Sequence, residues 1–221
     1  NTSLSGDTRF DRVSQQIKMD NTLDFIARFK KNHTCIVCGS IWEEDQDLLL
    51  KYINQAPKHV KCIIAPHTID KSRVLALKNK IKKQTVLYSQ SIAKGNMNNI
   101  DTAQVFIIDI VGLLAKIYSY ADIVYVGGGQ GTKGLHNILE PATFGVPVVI
   151  GKNYKKFPEA VKLRSMGGLF SVENSFGFSS QLAMTEFYSQ DSSGSILNVT
   201  YDSAATNPLP APFNFPTISI P

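Results

Sequence analysis

At 221 residues with 43% apolar side chains, the chain is long enough to bury one sizeable core, and it has no run near the roughly 18 to 20 apolar residues that a bilayer-spanning helix needs. All 23 lysines and arginines precede residue 165 while four of the 18 acids follow it, so the net charge of +5 sits on a basic body suited to anionic ligands. Three cysteines offer no disulfide framework, and Asn1 to Phe10 lacks the apolar region of a signal peptide, so the chain reads as a soluble protein of a reducing compartment.

The first apolar run, 34–39, predicts a buried strand. Cys35 and Cys38 lie in it at CxxC spacing, but residues three apart on a strand face opposite sides of a sheet, so the two thiols are not expected to share a metal. His33 and His59 stand in polar surroundings where strands begin and receive no role. A helix is predicted over 43–55, opening on Glu43-Glu44-Asp45, acids that complement its dipole. The run 60–65 gives a second strand ending at Pro66-His67, and Asp70 is the expected N-cap of a helix over 71–82. Lys78 to Lys83 place lysines near the C-terminal end of that helix dipole. Strands over 85–88 and 105–108, a helix over 111–120, strands over 123–126 and 146–150 enclosing a helix over 136–144, a helix over 155–166 and a short strand over 169–172 complete the series.

This alternation implies an α/β fold, a Rossmann-like and mostly parallel sheet with helices on both faces. Ligands of such sheets sit beyond the carboxyl ends of the strands, at the switch in strand order. Gly39-Ser40, Pro66-His67, Asp109 to Gly112 and Gly127 to Asn137 all fall there.

The densest signal runs from Ala121 to Ile150. A helix N-terminus behind a glycine-rich loop presents unpaired N–H groups and a positive dipole end, which makes Gly128, Gly129 and His136, with Gly39 and Ser40, a possible phosphate or sugar loop. Asn137 and Glu140 lie one helical turn apart, where an amide and a carboxylate can hydrogen-bond a ligand's hydroxyls or base. Pro141 would bend such a helix and free backbone groups near Asn137. His136 suits capping or phosphate contact as well as packing. Gly129-Gln-Gly-Thr-Lys-Gly134 also matches GxGxxG, but the ribose-binding acid expected about 20 residues further on is missing, which disfavours an NAD site.

From about residue 175 Ser, Asn, Thr and Pro dominate without Lys or Arg, and Asn207 to Pro216 can neither continue a helix nor join a central strand. The chain is therefore read as a nucleotide-binding domain over 1–174 and an irregular tail over 175–221. Asn198-Val-Thr200 is a formal glycosylation sequon, read as chance.

These residues resemble the C-terminal half of bacterial 3-deoxy-D-manno-octulosonic acid (Kdo) transferases, GT-B glycosyltransferases of lipid A assembly. The resemblance runs from Gly6-Asp-Thr-Arg-Phe-Asp-Arg-Val13 to about Glu173. It includes Gly39-Ser-Ile-Trp-Glu-Glu44, Ala65-Pro-His67, Asp109-Ile-Val-Gly112, and Gly127-Gly128 leading to His136-Asn-Ile-Leu-Glu-Pro-Ala142, with Gly145-Val-Pro147 and Gly151 beyond. It implies a domain that binds CMP-Kdo and presents it to a lipid A precursor held by a separate N-terminal domain.

By the same resemblance the cytidine nucleotide contacts Pro66, His67, Val111, Gly112, Leu113, Asn137, Ile138, Leu139 and Glu140. The family transfers Kdo with inversion, with no metal in this domain and no cofactor beyond the donor substrate. Its catalytic carboxylate belongs to the N-terminal half, so no catalytic residue is assigned here and donor binding without turnover is expected. No nucleic-acid partner is expected, and association with the cytoplasmic face of the bacterial inner membrane is implied only for the full-length enzyme. Lys152, Lys155 and Lys156 suit phosphates, anionic lipid or plain solvation alike. Two positions depart from the family's habit. His67 replaces a common arginine, a permanent charge with bidentate geometry, and Leu113 replaces a frequent glutamate. The alternatives are another GT-B domain that uses a UDP-sugar and a non-catalytic nucleotide-binding module.

Overall fold

The computed structural model describes Val13, residues 15–175 and residues 177–181. Most of the irregular tail expected over 175–221, with its sequon, lies outside the described residues, as does most of the Gly6 to Val13 block, but residues 175 and 177–181 at its start are helical because Phe178 is buried in the core against Tyr52 and Tyr125. Seven strands form one sheet: β1 (Thr34–Ile41), β2 (Val60–Pro66), β3 (Thr85–Leu87), β4 (Val105–Ile107), β5 (Ile123–Val126), β6 (Val148–Gly151) and β7 (Leu169–Val172). Their order is β3-β4-β2-β1-β5-β6-β7, and every neighbouring pair is parallel. This is the Rossmann-like sheet expected of a GT-B C-terminal domain.

The strands are short apolar runs because both of their faces are covered. Ile36, Cys38, Cys62, Ile64 and Tyr125 point to one layer, where they meet Leu48, Leu49 and Ile53 of α2 (Glu43–Gln55) and Val74 and Leu77 of α3 (Lys71–Lys80). Cys35, Val37, Ile63, Val124 and Val126 point to the other. That layer holds α1 (Asp24–Lys30), α4 (Leu114–Ile117), α5 (Leu139–Thr143) and α6 (Pro158–Ser165), through residues such as Phe29, Ile117, Leu163 and Ala160. Cys35 and Cys38 thus face opposite layers, as the period of two requires.

Several boundaries differ from expectation, each for a local reason. The helix predicted from 111 begins at Leu114, because Gly112 adopts φ 91°, a left-handed turn that a helix cannot contain. The helix predicted from 136 begins at Leu139. Pro141 within a longer helix would clash with the carbonyl four residues earlier, so it sits in the first turn, where no amide is needed, and bends nothing. The helix predicted from 155 begins at Pro158 for the same reason, preceded by the extended Phe157 (φ −111°, ψ 99°) that a following proline imposes. α1 was not predicted. It is only seven residues long and Leu23 gives no side-chain cap, yet Phe25, Ile26 and Phe29 are buried and the Leu23 N–H donates to the Tyr120 hydroxyl at 2.6 Å.

β1 is the pivot. The chain runs from it outward through β2 to one edge, then returns past it to β5 and the other edge. The carboxyl ends of β1 and β5 therefore part at the topological switch point, where such folds hold ligands.

Candidate functional site

Close backbone packing builds the floor of the crevice. The Gly127 N–H donates to the Gly39 carbonyl at 2.9 Å, and a side chain on Gly127 would strike the Ser40 carbonyl. Between Gly39 and Ile41 the β1–β2 register shifts, and Ser40 takes φ 52°, an uncommon value for a non-glycine residue that turns the end of β1 into the site. Gly39 leaves room for the Tyr118 hydroxyl, which a methyl group there would displace.

Asp45 anchors this floor. Its carboxylate is fully buried, accepting the Trp42 N–H at 2.8 Å, the Gly128 N–H at 3.0 Å and the Tyr125 hydroxyl at 2.8 Å. Burial first, then the Asp45 charge, drives the Tyr125 hydroxyl far above its ordinary value. Asp45 stands in the first turn of α2, where an acid was expected to complement the dipole, and caps the Trp42 N–H, but its one carboxylate also ties the start of α2 to β5 and to the glycine loop. No local pattern announces those two ties.

Three rings line the crevice above Asp45. Trp42 packs on His67 with centroids 4.0 Å apart, His67 stacks on His136 at 4.4 Å, and the Trp42 Nε1–H donates to His136 Nε2 at 2.7 Å. Lys133 Nζ lies 4.2 Å from a Trp42 ring centroid and 3.4 Å from Glu44. Burial and then His67 hold His136 below its ordinary value. His67 and His136 were singled out from the sequence; Trp42 entered only as part of a motif and Lys133 only as part of a glycine run.

The glycine loop closes on itself, since the His136 N–H returns to the Gly127 carbonyl at 3.1 Å and Gly128 packs on the Gly134 carbonyl. Gly129 is buried against Gly151, so its missing side chain serves backbone packing between β5 and β6. Asn153 fastens the loop through the Gln130 and Gly131 carbonyls at 3.1 and 2.9 Å.

Asn137 and Glu140 do meet, at 3.1 Å from amide nitrogen to carboxylate oxygen. Asn137 lies before the helix instead of inside it, and its side-chain oxygen accepts the Leu139 N–H at 3.1 Å. A five-residue helix with its first amide capped is a weaker anion receptor than the longer helix expected from 136. The cationic groups nearby are instead side chains, Lys133 foremost. Ile138 and Leu139 are buried and hold this turn in the core. The Glu140 charge reaches the Tyr118 hydroxyl, which burial already pushes far up.

On the other side of β1, Pro66 is half-buried at the end of β2 and His67 is exposed. Asp109 accepts the Ser89 N–H at 2.8 Å and the Ser89 hydroxyl, fixing the loop in which Val111 is 85% exposed and Leu113 half-buried. An apolar side chain that exposed beside Gly112 is available to a ligand.

The chain is similar in sequence to known Kdo transferases. Over 134 residues it is 29% identical to the 3-deoxy-D-manno-octulosonic acid transferase of Chlamydophila psittaci, covering 60% of this chain and 30% of that one. Over 164 residues it is 28% identical to the transferase of the same name from Haemophilus influenzae, covering 68% of this chain and 37% of that one. The chain thus spans about a third of the length of these relatives. The crystal structure of the C-terminal CMP-Kdo binding domain of WaaA from Acinetobacter baumannii shares the fold, with a TM-score of 0.61 at 21% identity over 81% of this chain and 90% of that one. No protein-family profile matches the chain.

Proposed function

We propose that this chain is the donor-binding half of a Kdo transferase, holding CMP-Kdo in the β1/β5 crevice for transfer to a lipid A precursor. What carries the reading is a coincidence. Sequence likeness to Kdo transferases occurs in a chain whose polar side chains converge at the switch point of a sheet shared with a CMP-Kdo binding domain.

In this reading Asn137 and Glu140 meet the nucleotide's hydroxyls and base edge, already paired with each other at 3.1 Å. Val111 and Leu113, with Pro66, give the base an apolar shelf, and Ile138 and Leu139 offer backbone. His67, His136 and Lys133 face the phosphate, with Gly39, Ser40, Gly128 and Gly129 shaping the floor. Transfer to an acceptor hydroxyl breaks the bond between the sugar's anomeric carbon and the CMP phosphate oxygen, so negative charge grows on the departing phosphate. Groups that grip it stabilise that charge without a metal. The resemblance assigns the catalytic carboxylate to the family's N-terminal half, so these 221 residues bind donor without turning it over.

Calorimetric titration with CMP, UMP, UDP and NAD tests this. Saturable binding selective for CMP, weakened about tenfold by Asn137→Ala and by Glu140→Ala, is the expected result. Selectivity for UDP would move the chain to the UDP-sugar enzymes, and absence of binding by all four would overturn the reading.

A further inference from the structure

The proton on His136 is placed by a residue that does not face the crevice alone. Trp42 Nε1 lies 2.7 Å from His136 Nε2. An indole N–H only donates, so Nε2 must accept and carry no proton. Which imidazole nitrogen is protonated is set by the bond the other makes, and the ring's proton therefore sits on Nδ1. The ring is held in that pose from three sides. The Trp42 backbone N–H is itself pinned by the Asp45 carboxylate at 2.8 Å, His67 stacks on the ring face at 4.4 Å, and the Cδ2 edge is turned to Gly128, where an added Cβ would lie 3.3 Å away. Nδ1 is on the edge turned away from Gly128, and His136 itself is only half-buried.

We propose that Trp42 is a positioning residue that locks His136 as its neutral Nδ1–H tautomer, so that the ring offers one fixed N–H donor to the nucleotide's phosphate. The phosphate rests on the donor-binding reading above; the tautomer does not. A proton added at Nε2 would set two donors head to head at the Trp42 contact, so the same bond that fixes the tautomer resists charging the ring. Burial and His67, at the end of β2, act in the same direction, while Asp45 at the start of α2 opposes them. The other charges of the site are Glu44 on α2, Lys133 in the glycine loop and Glu140 on α5. Fixed positive charge comes from Lys133, 4.2 Å from Trp42. His136 adds direction instead of charge.

The test is long-range proton–nitrogen correlation NMR of the 221-residue chain without ligand from pH 5.5 to 8, with His136 assigned by His136→Gln. The expected spectrum has a protonated Nδ1 and an unprotonated Nε2 at neutral pH. An Nε2–H tautomer, or an average of the two, overturns the proposal and needs no variant to fold. In Trp42→Phe the titration midpoint of His136 should rise and the tautomer should change. CMP affinity should then fall about tenfold at pH 8, with a gap that narrows toward pH 5.5, where a protonated ring regains its Nδ1–H. The phosphate titrates in both cases, so the ratio of affinities cancels its contribution. A ratio of one at every pH overturns the phosphate contact. A wild-type chain that binds no CMP overturns the donor reading, while the tautomer is read in the free protein.

Discussion

At the amino ends of the strands the buried Lys61 gives two of its three N–H donors to the Phe29 carbonyl at 2.7 Å and the Asp101 carbonyl at 2.9 Å, with its ammonium 4.8 Å from the Phe29 ring centroid. Beside it Asp101 takes both Arg28 and Lys31, which hold its carboxyl far below the ordinary range, and Asp122 pairs with Lys30 and accepts the Cys35 N–H. The carboxyl ends also gather charged and polar groups, but there Asp45 and Asp109 are engaged while others keep capacity. His67 is exposed and only stacked, Asn137 is exposed, Val111 protrudes, and His136 keeps an edge open. Charge alone does not mark a site. A charged group whose hydrogen-bonding capacity is used up is scaffold, and a polar group held rigidly with capacity left over is equipment for a ligand.

The contrast can be broken at three places. Asp45→Ala should cause the largest loss, about 4 kcal/mol of unfolding free energy in urea, because the buried donors of Trp42, Gly128 and Tyr125 lose their acceptor together. It should abolish measurable CMP binding as well, since Trp42 and the glycine loop come adrift. Lys61→Met should be smaller, about 2 kcal/mol, from one buried and one part-buried carbonyl left without a donor. The burial that pushes the Lys61 amine below its ordinary value already offsets part of what those bonds contribute. CMP affinity should not change, and if it falls with stability the two ends are coupled and the contrast fails. Arg28→Ala, whose side chain is 45% exposed, should leave both stability and binding within measurement error; a clear drop in midpoint would show that the amino-end network acts as a unit.

The layered sheet was legible because its strands are continuous apolar runs separated by turns, and α2 was legible because its acids and apolar stripe agree. Helix starts near Gly112, Pro141 and Pro158 were misjudged where apolar periodicity outran a local backbone constraint that those residues impose. At the site, Gly39, Ser40, Pro66, His67 and His136 could be named because all stand at the carboxyl ends of strands or at the close of the glycine loop. The contacts that organise them could not. Asp45 reaches Tyr125 and Gly128 across 80 and 83 residues of chain, and Trp42 reaches His136 across 94. Such pairings exist only once β5 has been laid beside β1, and nothing in either local sequence specifies the other.

The β1–β5 pairing, four residues long from Ile36 to Gly39, is also the sheet's one joint between sequence halves. The strands on the β2 side end at Ile107 and those on the β5 side begin at Ile123. Within the sheet that ladder is the seam between the two halves, and the crevice opens at its carboxyl end. A molecule seated between Asn137 on one side and His67 on the other would touch both halves at once, so its binding would add to the ladder, the Asp45 ties and the Trp42–His136 bond that already join them.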